Sequence, residues 1–288
     1  MATAELSEER VRRLREIIMD EAVCRIAGGV GNLPTLPATY NALCRATADP
    51  ATRTADITKI IETDPAISVR LLQLVNSAFF GAAQRTSSIP RAVNIMGTNL
   101  LKSLVLSAHM CNALELAPTR SFSMSRYQNY SMGVAKLART FAGSRGFADE
   151  AFTAGIVLGI GQVVFALRSP KEFEQVLERV ADTGEMQHRV EKEILGASHA
   201  ETGAFILSTW GIPFPIVECV AFQFRPGEVG PGNGELLAIV HTANALSGII
   251  LCREPEEQLD LKFLERTGLI GELPRWRAVA EEAFQALT

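Results

Sequence analysis

The stretch Ala151–Leu167, AFTAGIVLGIGQVVFAL, carries no charge, and its reading decides the fold. As one helix it would span about 25 Å at 1.5 Å per residue, slightly short of a membrane's hydrocarbon core. It also contains Thr153, Gln162 and three glycines, and Asp149, Glu150 and Arg168 bound it. A helix apolar on every side, with such polar interruptions and charged flanks, reads as the core of a soluble protein rather than a membrane span. The C-terminal two-thirds of the chain is then expected to pack around it.

Helical punctuation continues on both sides of this stretch. Ser169-Pro170-Lys171-Glu172 and Ser198-His199-Ala200-Glu201 both read as capping boxes, in which a serine caps the first amides and a glutamate three residues on reaches back. Leu236 to Cys252 is a second long uncharged helix, and Tyr127 to Phe141 a third candidate. Upstream, Asp64-Pro65 and Ser88-Ile89-Pro90 combine a capping side chain with a proline in the first turn, where a missing N–H costs nothing. Near the N-terminus Val11, Leu14, Ile18, Ala22 and Ile26 recur at helical spacing up to Gly28-Gly29, predicting one amphipathic helix that either docks on the body or pairs with a second copy. No stretch alternates as a strand does, so the chain reads as all-α. Pro118 and the polar run after it mark a boundary. The expected parts are an N-terminal helix (1–28), a first helical lobe (29–118), a second (119–252) and a C-terminal helical tail (253–288).

Bulk properties exclude several classes. A net charge of −4 with interspersed signs gives no electrostatic reason to attract nucleic acid or an anionic membrane. Five cysteines lie far apart without a CxxC pair, so buried reduced thiols in a cytoplasmic protein are expected rather than disulfides or a zinc knuckle. The charged N-terminus lacks the apolar core of a signal peptide. There is no GxSxG elbow, P-loop or GxGxxG.

Several ordered motifs carry a family resemblance. LPTLP at 33–37, the Asp49-Pro50 and Asp64-Pro65 pairs, LLQLVNSAFFG, SSIPRAV and Gly97 together resemble the N-terminal half of an HDOD domain. From Tyr127 through Leu246 the chain resembles the HD phosphohydrolases, whose His and Asp side chains hold a divalent metal that activates water. The resemblance implies a two-lobed helical fold with an HD-like bundle, and it locates the ligand positions. There the chain offers Tyr130, then Leu158 and Gly159 where the name-giving His-Asp pair belongs. It offers His199 inside GASHAETG, Gln223 and Phe224 in AFQFRP, and His241 with Asn244 in VHTANAL. One or two imidazoles without carboxylates do not hold a catalytic divalent cation, so no metal, no cofactor and no hydrolysis are expected.

The resemblance implies a bacterial signalling context. The expected role is a non-enzymatic regulatory module acting through a protein partner supplied in trans, since the match and short termini use up the chain. Asn76, Ser77, Phe79, Phe80 and Gly81, with Ser87 and Ser88, form a candidate partner-binding edge; the structural alternative is a helix end whose aromatics fill a seam. Tyr130, Leu158, Gly159, His199, Gln223, His241 and Asn244 form a candidate vestigial pocket, able on this reading to take a nucleotide or other phosphorylated ligand. His199 and His241 also have bland readings, as a first-turn residue bonded to a neighbour and as a core histidine with a satisfied ring. Residual metal-dependent hydrolysis is the third alternative. His109 and His188 have no sequence partners that suggest a site.

Overall fold

The computed structural model describes residues 8–28, 38–49, 51–76, 86–98, 100–103, 105–106, 121–229, 234–252 and 254–285. Among these there is no strand, and the all-α reading holds. The chain divides into two compact units. One is formed by residues 34–115, the other by residues 1–33 together with 116–288.

The smaller unit contains α3 (Ala38–Ala48), α4 (Thr54–Glu62), α5 (Pro65–Val75) and α6 (Ile89–Met96). Asp64 Oδ1 accepts from the Ile67 amide at 3.1 Å, so the Asp-Pro pair starts α5 as expected. Leu43, Ile57, Ile61, Leu71 and Val75 are buried and form its apolar centre. Ser88 caps α6 by accepting from the Arg91 amide at 3.4 Å, and Gly97 ends it at φ +73°.

The larger unit begins with α1 (Glu8–Ile18) and α2 (Glu21–Ala27). The single N-terminal helix read from periodicity is therefore broken: Asp20 adopts an extended conformation and its side chain caps Ala22 and Val23. These helices are not a separate part, since they pack on the unit's core helices. Arg10, one of the charged positions of α1, is buried and makes a two-pronged ion pair with the buried Glu218, with Nε to Oε1 at 2.8 Å.

The core follows in α7 (Met124–Ala142), α8 (Ala148–Val157), α9 (Ile160–Arg168), α10 (Pro170–Thr183), α11 (Gln187–Leu195), α12 (His199–Thr209), α13 (Phe214–Ala221) and α14 (Glu235–Cys252). The uncharged stretch 151–167 is buried as expected, but it is two helices, α8 and α9, interrupted at Leu158-Gly159. The break frees the Leu158 carbonyl, which accepts from Gln223 Nε2 at 3.1 Å. Glycines set the spacing around it. A Cβ on Gly155 would lie 2.5 Å from Ala135 Cα, and one on Gly161 would lie 2.6 Å from His199 Cα, so α8 meets α7 and α9 meets α12 at backbone distance.

Two capping expectations divide. Ser198 and Glu201 form the capping box of α12, whereas Ser169 makes no side-chain cap and α10 starts on Pro170 alone. The expected C-terminal helical tail holds α15 (Leu261–Arg266) and α16 (Leu273–Gln285), which belong to the same unit as the core helices. Trp276 is buried and stacks on Phe141 at 4.9 Å, and Phe284 fills the space left by Gly133. Among the described cysteines only Cys219 is fully buried; Cys24 and Cys44 are half-buried and Cys252 is exposed, which corrects the expectation of buried thiols.

Candidate functional site

The larger unit carries a half-open cavity of about 710 Å³ between α7, the α8–α9 break, α11, the start of α12, and α14. Six of the seven vestigial-pocket residues line it: Tyr130, Leu158, Gly159, His199, Gln223 and Asn244. His241 does not. Its Nδ1 donates to the Gln223 carbonyl at 2.7 Å and its Nε2 accepts from the Asp260 amide at 3.0 Å, so both ring nitrogens are used inside the core. Burial lowers its pKa below the usual histidine value, consistent with the neutral ring these bonds require.

At the positions that the family resemblance marks for metal ligands, the side chains bond to one another. The Tyr130 hydroxyl donates to Asn244 Oδ1 at 2.9 Å. Asn244 Nδ2 donates to Gln223 Oε1 at 3.2 Å, and Gln223 Nε2 donates to the Leu158 and Val220 carbonyls at 3.1 and 3.0 Å. The chain of bonds is uncharged and closes on backbone oxygens. Burial pushes the Tyr130 phenol well above its usual pKa, with Glu254 and Cys252 adding to the effect, so it stays a donor. Gly159 belongs to the same rearrangement, because a Cβ there would meet the Tyr127 ring at 2.8 Å.

His199 is held differently. Its Nδ1 lies 2.7 Å from Glu191 Oε2, and the same oxygen accepts from the His199 amide at 2.8 Å. Glu191 is fully buried, and Gln187 Nε2 donates to its other oxygen at 2.8 Å. The imidazole is thereby oriented with Nδ1 towards the carboxylate, leaving Nε2 as its unused nitrogen among the described residues.

The wall holds residues that sequence reasoning missed. His188 stacks on Phe224 at 4.1 Å, nearly parallel, while His199 meets the same ring edge-on at 5.2 Å. Burial, then the neighbouring His199, Arg189 and Lys192, lowers the His188 pKa to about 3. Glu254 lines the cavity as a half-buried carboxylate that accepts from Gln258 Nε2. Burial raises its pKa, and the Gln258 bond and the nearby His199 only partly oppose this. The i, i+4 spacing of Gln187 and Glu191 was legible in the sequence, but their meeting with His199 depends on the turn at Gly196, which has φ +88°.

This donor set does not fit a catalytic divalent cation. A phenol, two amides, a leucine and a glycine replace charged ligands, His241 is spent, and one imidazole nitrogen is left over. Among the described residues no group of three His, Cys, Asp or Glu converges as metal ligands would.

Of the candidate partner-binding edge, Ser77, Phe79, Phe80 and Gly81 lie outside the described residues. Asn76 is engaged internally: its side chain accepts from the Thr86 amide and donates to the Thr86 carbonyl, both at 2.7 Å. Ser88 is committed to the α6 cap, and Ser87 is exposed.

Comparison with known proteins places these features. The family model of the HDOD domain matches residues 33–226. An uncharacterized protein of Treponema pallidum (strain Nichols) is 26% identical over 243 residues, covering 83% of this chain and 47% of its own length, so the chain spans about half of that relative. A candidate signal transduction protein of Marinobacter aquaeolei VT8 superposes with a TM-score of 0.75 at 20% identity, over 98% of this chain and 65% of the other. A candidate phosphohydrolase of Shewanella amazonensis SB2B superposes at 0.67 with 23% identity, over 94% and 100%. At such identities these two structures share the fold.

Proposed function

Because this chain belongs to the HDOD family, we propose that it is a non-catalytic regulatory module of bacterial signalling, acting in the cytoplasm by binding a protein partner. The observation that carries this reading is the uncharged bond chain Tyr130–Asn244–Gln223–Leu158 at the former ligand positions. A site that activates water must keep open coordination positions and charged ligands. Here the corresponding atoms satisfy one another and stabilise the bundle, so the fold outlives the chemistry and function passes to its surfaces. The assignment of a fold neighbour to signal transduction agrees with this, and the neighbour assigned to phosphohydrolases marks the competing reading.

The test is co-purification of the tagged chain from its native cell, followed by reconstitution of any recovered complex from purified components at defined stoichiometry. A reproducible complex without phosphatase turnover supports the reading. Absence of any complex, or Mn-dependent hydrolysis of a phosphoester by the purified chain, overturns it.

A further inference from the structure

The cavity's chemistry departs from the phosphate site its ancestry implies. A phosphate seat needs free cations or an open helix N-terminus. The N-terminus of α12 is closed, because Glu191 accepts from the His199 amide at 2.8 Å and Glu201 from the Ser198 amide at 2.9 Å. Lys192 and Arg225 are committed to Glu201, at 2.8 and 2.6 Å. Among the described lining residues only Arg126 carries a full positive charge, and it is exposed. Two imidazoles line the cavity, His188 and His199; Glu191 stands behind His199, and Glu254 lies on the cavity wall.

Aromatic rings make up much of the remaining wall: Phe122, Tyr127, Tyr130 and Phe224. A half-buried carboxylate sharing a cavity with aromatic rings is an arrangement that recognises organic cations, since the ring quadrupoles and the anion both attract a positive nitrogen while the apolar surface takes its hydrocarbon body. We propose that this cavity binds a small organic cation, an ammonium or amidinium group on an aromatic or apolar body. Glu254 accepts its N–H bonds, the aromatic rings pack on it, and His199 Nε2 supplies a second polar contact. The volume of about 710 Å³ suits a ligand of this size. Among the described residues Glu254 accepts a side-chain bond from Gln258 Nε2, a neutral donor. The proposal concerns the cavity alone and stands whether or not a protein partner is found.

The experiment is a thermal-shift and calorimetric titration of the purified full chain with benzamidine and tyramine as cations, benzamide as a neutral isostere, and phenyl phosphate and ADP as anions. Saturable stabilisation is expected with at least one of the two cations, at least tenfold weaker with benzamide, and absent with the anions. Glu254→Gln should weaken cation binding at least tenfold. Asn129→Lys, which adds a positive charge at an exposed position of the lining, should weaken it as well, and circular dichroism confirms the fold of each variant. No saturable response to either cation, preferential stabilisation by phenyl phosphate or ADP, or unchanged affinity in folded Glu254→Gln overturns the proposal.

Discussion

Replacing Gly161 by alanine tests whether the α9–α12 contact organises the larger unit. The new Cβ would stand 2.6 Å from His199 Cα and 2.7 Å from its carbonyl carbon. Carbon atoms settle at about 3.5–4.0 Å, so the two helices must separate by roughly 1 Å. Both opposing atoms belong to the backbone and cannot rotate away. Overpacking of this kind costs about 3 kcal/mol, and the better helix propensity of alanine returns about 1 kcal/mol, leaving a net loss of about 2 kcal/mol. For a unit of this size that is a drop of about 4–8 °C in melting midpoint. Because the displaced residue is His199, its pairing with Glu191 should loosen too. The assay is thermal unfolding followed by circular dichroism, with Gly146→Ala as control, since nothing lies within 4 Å of that position. If Gly161→Ala melts with the wild type while the control is also unchanged, the close approach of the two helices does not matter and the reasoning fails.

Four further outcomes follow from the same geometry. Arg10→Met strands the buried Glu218 and should cost about 3–5 kcal/mol, while Arg10→Met with Glu218→Leu recovers most of it; equal melting of the single and double variants would refute this. An unfolded histidine titrates at about 6.5, whereas folded His188 does so at about 3, so stability is full above the first value and falls as pH drops towards the second. His188→Gln should flatten that slope in a series of melts across this range. Burial holds the Glu254 pKa above its ordinary value, so ionisation at neutral pH works against the fold, and ligand-free Glu254→Gln should melt higher than the wild type at pH 7; a lower midpoint would contradict it. Introducing a His-Asp pair with Leu158→His and Gly159→Asp should create no tight metal site, because a side chain at 159 meets the Tyr127 ring at 2.8 Å and Tyr130, Gln223 and Asn244 are uncharged. One equivalent of manganese retained after dialysis, by elemental analysis, would disprove that.

Much of the site is legible in the sequence. Tyr130, Leu158, Gly159, Gln223 and Asn244 were identified by motif position, and they do meet at one cavity. His241 was placed with them by the same logic but turned inward, because its neighbours Gln223 and Asp260 offer it two bonds in the core. The inward placement of Glu191, His188 and Glu254 has no linear signal: the i, i+4 spacing of Gln187 and Glu191 is legible, but nothing in α11 or in the residues after α14 marks which side chains turn inward.

Local chemistry is what the sequence determined alone: the all-α class, the Asp64, Ser88 and Ser198 caps and the buried uncharged stretch. Each of these depends on residues within a few positions of one another, or on composition. Tertiary structure decided the rest. It broke the stretch at Leu158-Gly159, where Gln223 takes the freed carbonyl and Tyr127 takes the space. It bound Arg10 to Glu218 across 208 positions, and it aimed Glu254 and His199 into one cavity. Burial and pairing between distant residues set those outcomes, and a linear pattern carries neither.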